Sequence, residues 1–244
     1  MDKQKAYVTL AQWFEYLNDD CGYENWSQYF IAKLRAYPVR VGLDVGCGGG
    51  WFTRAFARAG YQMTGMDISA EMLDTAQRNA MQQGVRGEYL LGDITRKKLP
   101  KRFDFVTAIN DCINYIPKDK LSAAFKNVGG ALKKGGVFLF DISSKRKYQQ
   151  KLNGTVSADD REDITYLAFN QVNGDTVTID VTLFVKGRDN KFERFDERHV
   201  QYVYEENEIV QALHANGFVV QGVEGHLGED KTQSDRLLFT AVKQ

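Results

Sequence analysis

Cysteine is scarce: Cys21, Cys47 and Cys112 are the only three in 244 residues. An odd number with no CxxC spacing excludes a disulfide framework and reads as reduced thiols in a cytoplasmic protein. Histidine is equally scarce, and His199, His214 and His226 carry no zinc-ligand spacing, so no metal is expected. Charge of one sign is also missing. Basic and acidic residues number 32 each, giving a formal net charge of zero, which argues against a nucleic-acid partner. The basic clusters Lys97-Lys98, Lys133-Lys134 and Lys145-Arg146-Lys147 are expected at turns and helix ends as solvated surface. No apolar run approaches a membrane span, and the N-terminal MDKQKAYVTLAQW lacks the apolar core of a secretory signal, so no membrane partner is expected. There is no internal repeat, low-complexity tract or Pro/Ser-rich linker. What is present, 43% hydrophobic and 26% charged residues, suffices for one sizeable α/β domain with an insertion.

The chain is organised around Val41 to Trp51, VGLDVGCGGGW. An apolar run ending in an aspartate and then in glycine predicts a buried parallel strand and a tight turn. A helix should follow over 51–59, with Phe52, Ala55 and Phe56 on one face. Gly46, Gly48 and Gly50 lack a Cβ, so a ligand can lie against the backbone. The free N–H groups of the helix start favour a carboxylate or other anion. Asp44, at the strand end, can accept from a ligand amine or hold the loop through backbone N–H groups. The phosphate-loop pattern GxxxxGK[ST] is absent, because no Lys-Ser or Lys-Thr follows. The dinucleotide pattern GxGxxG would need its third glycine where Trp51 stands.

An acid two residues before Gly46-Cys47-Gly48-Gly49-Gly50 resembles the first motif of the class I S-adenosylmethionine (SAM)-dependent methyltransferases. SAM carries no phosphate, so a missing lysine fits. Tyr61 to Asp67 reads as a second strand, with Asp67 about 20 residues beyond the loop, as for an acid that takes ribose hydroxyls. Ser69 is the N-cap expected for a helix through Met72 and Ala76. The run DISAEML resembles the family's second motif, with Ile68 and Met72 flanking the adenosine. Glu88 to Asp93 gives a third strand; the resemblance implies that Asp93 accepts from the adenine amine and that Ile94 packs on the ring. Three successive strands each ending in an acid strengthen the reading, because ligands of open α/β sheets gather at the carboxyl ends of strands.

Tyr7 to Ala36 is aromatic-rich and predicts two helices broken near residues 18–22. The segment resembles the leading helices of small-molecule methyltransferases, in which a Tyr-x-x-Trp such as Tyr23 to Trp26 reaches the SAM pocket. Aromatic faces suit a sulfonium at about 0.5–2 kcal/mol each. Phe14-Glu15 stands where those relatives carry Tyr-Asp.

Phe103 to Ile109 predicts a fourth strand, followed by NDCINYI. Base-methylating enzymes carry an Asn/Asp-Pro-Pro-aromatic run here, and this chain has no such prolines. The run is more similar to the Cys-Asp-Ser-Leu-Asn-Tyr type of small-molecule enzymes, with the order around Asp111-Cys112 inverted. The resemblance implies that Asn110 and Asp111 contact the methionyl amine and that Asn114 and Tyr115 face the acceptor. A helix over 121–132 leads to a fifth strand, VFLFD, ending at Asp141. Three antiparallel strands are then expected, over 164–170, 175–185 and 192–204, with Asn173-Gly174 as a turn signal. They read as a lid over the sheet's carboxyl edge. The E-x-H-x-x-x-x-Y run of Glu197, His199 and Tyr204 is similar to one in relatives, and His199 is a candidate general base, since an unperturbed histidine titrates near about 6.5. A helix over 205–216 and two last strands complete the sheet; Arg236 resembles the arginine that opens the final strand.

The expected fold is α/β, a doubly wound seven-stranded sheet of the Rossmann-like class I methyltransferase type with a small antiparallel β insert. Its parts are a helical cover over 1–38, a SAM-binding core over 39–145, the lid over 146–204 and the core's completion over 205–244. The function the resemblance implies is methyl transfer from SAM to N or O of a small molecule, by a monomer or homodimer. A SAM-binding protein without catalysis, a nicotinamide oxidoreductase and a nucleic-acid methyltransferase are the alternatives.

Overall fold

A computed structural model describes residues 4–100 and 102–244, with side chains from residue 6 onward. The first three residues of the expected cover lie outside the described residues. In chain order come β1 (Gln4–Lys5), α1 (Phe14–Leu17), α2 (Tyr23–Leu34), β2 (Val41–Val45), α3 (Trp51–Arg58), β3 (Gln62–Asp67), α4 (Ala70–Gln82), β4 (Glu88–Leu91) and β5 (Phe103–Ala108). Then follow α5 (Leu121–Ala131), β6 (Leu132–Ser143), β7 (Val156–Asp160), β8 (Ile164–Asn173), β9 (Thr176–Lys186), β10 (Phe192–Tyr202), α6 (Glu206–Ala215), β11 (Phe218–Gly225) and β12 (Arg236–Lys243).

Seven strands form one sheet in the order β11-β12-β6-β5-β2-β3-β4. β4, β3, β2, β5 and β6 run parallel, and β12 is inserted antiparallel between β6 and β11. Strand order reverses at β2, which pairs β3 on one side and β5 on the other, so a crevice opens at its carboxyl end. Both faces are covered, and side chains alternate between them as the pleat requires. Val106, Phe138 and Phe140 pack with Phe125, Ile209 and Leu213 on the α5–α6 side. Phe105, Val137 and Leu139 pack with Trp26, Phe30, Phe52 and Phe56 on the α2–α3 side.

The insert is larger than the three strands expected. β7 to β10 make a four-stranded antiparallel sheet, and the two-residue β1 pairs parallel to β10 at its edge. The hairpin between β8 and β9 turns through Gly174-Asp175, one residue later than the Asn-Gly signal suggested. The first of the two leading helices is also different. Residues 10–17 form only a 3₁₀ turn and the four-residue α1, because their apolar side chains are spent on the insert: Leu10 is buried against Ile164, Val181 and Leu183, with Trp13, Phe14 and Leu17 alongside. The leading segment therefore serves two cores, the insert through residues 7–17 and the main sheet through α2. Of the basic clusters, Lys147 is not solvated; its Nζ donates to Ser143 Oγ at 2.8 Å. Among the described residues, no helix is long and apolar enough to cross a membrane, and no group of three or more acidic, cysteine or histidine side chains could hold a metal ion.

Candidate active site

The carboxyl ends of β2, β3, β4 and β5 surround a cavity of about 460 Å³, within the roughly 300–1,000 Å³ usual for small-molecule sites. Its floor is the glycine loop. Gly46 and Cys47 donate their N–H groups to the Met66 carbonyl at 2.7 and 3.0 Å, tying the loop to β3. Gly46, Gly48 and Gly50 have φ of +67°, +53° and +83°, a left-handed region that costs a side chain about 1–2 kcal/mol. Any Cβ on Gly46 would also lie 2.4 Å from Cys112 Sγ.

The three strand-end acids converge on this floor. Asp44 is buried and accepts from Thr53 Oγ1 at 2.6 Å and Thr107 Oγ1 at 2.8 Å. Asp44 thus ties α3 and β5 together through their hydroxyls, with the Thr53 backbone N–H also bonding it. Burial raises its pKa to about 6, outweighing those bonds. Asp67 accepts from Gly48 N at 2.8 Å and Ser69 N at 2.9 Å; burial raises its pKa, with the backbone bonds opposing. Ser69 caps α4 by accepting from Met72 N at 3.1 Å. Asp93 accepts from Thr95 N and Oγ1. Ile68 is 69% exposed although it lines the cavity with buried Met72 and Ile94, an apolar lip suited to a flat ring.

Asn110 also lines the cavity, and its Nδ2 donates to Tyr23 Oη at 3.0 Å. Asn110 and Asp111 both have φ of 66°, a conformation that costs non-glycine residues about 1–3 kcal/mol each. Asp141 holds the pair by accepting from both backbone N–H groups. Arg236 then closes the network: Nη1 donates to Asp111 Oδ1 at 2.6 Å and to Asp141, and Nη2 to Asn110 Oδ1 at 3.0 Å. Burial alone would raise the Asp111 pKa, but the charges of Arg236 and Lys147 hold it well below the usual range.

Tyr23, Asp44, Gly46, Cys47, Gly48, Asp67, Ile68, Met72, Asp93, Ile94, Asn110 and Tyr115 all line the cavity, whereas Trp26, Gly50, Asp111, Asn114 and His199 do not. Trp26 is core; its ring stacks under the Arg236 guanidinium, 4.7 Å from the centroid. Gly50 starts α3 and packs toward Ala76 and Arg54. Asp111 faces Arg236 and Ser143. The expectation that Asn114 faces an acceptor is not met. It is buried, its amide accepting from Ser143 N and donating to the Tyr202 carbonyl, so it joins the 3₁₀ turn of Cys112–Tyr115 to β6 and β10. His199 lies behind Tyr115, with Nδ1 3.1 Å from the phenol oxygen.

Besides Tyr23, the leading segment brings Ala6, Tyr7, Phe14 and Glu15 to the cavity. Glu15 takes both its hydrogen bonds from Arg54 Nη2, at 2.9 and 2.8 Å, while Arg54 Nη1 donates to the Gly49 carbonyl. Tyr7, at a left-handed φ of 62°, sets its hydroxyl 2.9 Å from that of Tyr115. Nothing in its aromatic neighbours marks this ring as one that points inward, as those of Phe14 and Tyr23 also do. A readable signal did exist for Glu197: it shares the inward face of β10 with His199 and Gln201, three polar residues where a half-buried strand places apolar ones.

Carboxylates on bare main chain beside an apolar lip suit a cationic nucleoside, and comparison with known proteins agrees. The family model for the methyltransferase domain matches residues 43–136. A methyltransferase-family protein from Geobacillus sp. (strain WCH70) is 31% identical over 247 residues, covering 98% of this chain and all of the relative. The crystal structure of an S-adenosylmethionine-dependent methyltransferase from Clostridium acetobutylicum ATCC 824 superposes with a TM-score of 0.87 at 27% identity, covering 98% of this chain and 99% of that one. The sugar N-methyltransferase KedS8 from Streptoalloteichus sp ATCC 53650 shares the fold, with a TM-score of 0.81 at 19% identity over 100% and 95% of the two chains. The chain belongs to the class I SAM-dependent methyltransferases.

Proposed function

We propose that this methyltransferase acts on a nitrogen or oxygen of a small molecule, which enters the cavity beyond the strand-end acids. The observation that carries the proposal is the cavity's far wall. Tyr7, Tyr115, Ile116, Pro117 and Lys120 line it, two phenols and two apolar side chains with one lysine, a lining for a compact organic acceptor. A formal net charge of zero speaks against an extended polyanionic substrate.

SAM is the cofactor, and it supplies a methyl group already activated on a sulfonium. The residues present fit it. Asp67 would take the ribose hydroxyls, Asp93 the adenine amine, and Ile68 with Ile94 the ring faces. The glycine loop and Asn110 would meet the methionyl end, where Asp44 offers a carboxylate to the amine. The chain's own task is then to fix the acceptor and exclude water. Positioning of this kind supplies about 7–11 kcal/mol of barrier reduction in well-oriented systems. Arg54, Glu15 and the Asn110–Arg236 network keep the walls from shifting.

The test is an incubation of purified protein and SAM with amino sugars, alkylamines, phenols and carboxylic acids, read by mass spectrometry for S-adenosylhomocysteine and methylated product. Product from at least one of these, with none from RNA, DNA or peptide, is the expected outcome. Methylation of a macromolecule alone would overturn the assignment.

A further inference from the structure

Four side chains from three separate parts of the chain form a hydrogen-bonded line that ends at the cavity. Glu197, fully buried on β10, accepts from the backbone N–H groups of Tyr7 (2.8 Å), Thr9 (2.6 Å) and Leu10 (2.9 Å). Its Oε2 lies 3.3 Å from His199 Nε2. His199 Nδ1 is 3.1 Å from Tyr115 Oη, which is 2.9 Å from Tyr7 Oη. The Tyr7 ring stands edge-on to the imidazole, 4.7 Å between centroids. Both tyrosines line the cavity, and neither His199 nor Glu197 does.

The donors fix the direction of the line. Burial favours the neutral acid at Glu197, but the bonds from His199, Leu10 and Thr9 outweigh it and hold the pKa below the ordinary value, so the carboxylate is ionised. An ionised carboxylate can only accept, so His199 carries its proton on Nε2. In the neutral ring Nδ1 then keeps a lone pair, to which Tyr115 donates. The Tyr115 proton being used, Tyr7 must donate to Tyr115. The end of the line is the Tyr7 oxygen, whose remaining lone pairs can only accept from whatever lies in the cavity. Burial keeps both phenols protonated, raising each pKa above the ordinary value.

We propose that Tyr7, Tyr115, His199 and Glu197 form a proton wire that takes a proton from the acceptor, and that the enzyme therefore selects acceptors whose nitrogen or oxygen still bears one. The proposal rests on the small-molecule reading above. An acceptor X–H bonded to the Tyr7 oxygen gives its proton to that oxygen. Tyr7 passes its own proton to Tyr115, and Tyr115 passes its own to His199 Nδ1. One X–H bond is broken and its electron pair stays on X, free to take the methyl. One N–H bond is formed, and the imidazolium pairs with Glu197. An alkylammonium or a hydroxyl meets the requirement, whereas a pyridine nitrogen has no proton to give. Tyr7 and Tyr115 are the catalytic residues of this scheme; His199 and Glu197 act through them and are positioning residues. The other groups that reach the line are Asp67 and Asp111 at the phenols, Tyr166 of β8 beside Tyr115 and Glu197, Tyr148 beside Tyr115, and the Gln201 side chain, which hydrogen-bonds Tyr115 and accepts from Tyr148.

The chain has three histidines, so ¹⁵N-resolved imidazole spectra of protein saturated with S-adenosylhomocysteine are readable, with His199→Gln giving the assignment. The expected spectrum shows His199 protonated at Nε2 alone. A neutral ring protonated at Nδ1 would reverse the line and overturn the proposal. The second arm is Tyr115→Phe, which removes the link and leaves the ring. With the best proton-bearing acceptor from the panel, turnover at pH 7 should fall about 100-fold or more, with SAM affinity unchanged and the protein still folded at the assay temperature. Activity should return as pH rises and the acceptor loses its proton unaided, a recovery no packing defect would show. Turnover at pH 7 within threefold of the parent sinks the wire. If the parent protein itself turns over nothing in the panel, the small-molecule reading fails, and the imidazole spectrum still decides the direction of the line.

Discussion

On one side of the cavity, Asp67 is anchored to Gly48, 19 residues away, and Asp93 to Thr95, two residues away. On the other, Tyr7 meets Tyr115 across 108 residues, and its backbone meets Glu197 across 190. The cofactor wall is made of successive strand ends and fixed mostly through main chain. The wall proposed to meet the acceptor is assembled from the leading segment and a 3₁₀ turn, with the insert behind it, and is held through side chains. Backbone anchoring tolerates sequence change except at glycine, whereas a side-chain assembly fails at any member. The difference suits a family in which one cofactor is constant and the acceptor varies.

The strongest way to break this comparison is to remove the cation that braces Asn110 and Asp111 from behind the cavity. Arg236 is partly buried and bonds Asp111, Asp141 and Asn110. Arg236→Met leaves buried Asp141 and partly buried Asp111 facing each other without a cation and should cost about 3 kcal/mol of stability, measured by urea unfolding. A loss below 1 kcal/mol would mean the left-handed pair holds without its cation.

A sharper cut is Asp67→Asn. It removes one charge from the cofactor wall and nothing from the other. SAM affinity should fall by the worth of a charge-assisted bond, about 1.5–3 kcal/mol, with Tyr115 and His199 undisturbed. Calorimetry showing equal affinity would dismiss the ribose role.

The smallest effect is a pH dependence. Burial raises Asp44 from 3.8 to about 6, so the native state binds this proton more tightly than the unfolded chain does. The favourable contribution is complete below the ordinary value and is lost as pH rises through 6. Cofactor-free protein should therefore gain about 1 kcal/mol from this group between pH 7 and pH 5. The difference in urea midpoint should shrink in Asp44→Asn.

The cofactor wall was legible because each of its parts is a local pattern. An apolar run, a glycine cluster and an acid at the end of each strand occupy adjacent positions, and the pattern fixed β2, α3, β3, α4 and their order. The acceptor wall was not, for a physical reason. Tyr7 reads like its aromatic neighbours until β10 supplies the carboxylate that bends its backbone, and no periodicity within residues 7–17 encodes that partner. Asn114 erred in the opposite sense. Its place after the fourth strand suggested contact with a ligand, yet its amide bonds Ser143 and Tyr202 and is fully buried away from the cavity. The insert's extra strand, β7, is five mostly exposed residues with no apolar alternation to announce it.

The grip of Glu197 on three consecutive-region amides, together with the Glu15–Arg54 pair, has a bearing on how the enzyme breathes. A door hinged at the insert could not swing free, because its edge is stitched to the first turn of the chain, and that turn is bolted in its own right to the glycine floor. Any movement of the insert is therefore shared by one short strap fastened at both ends.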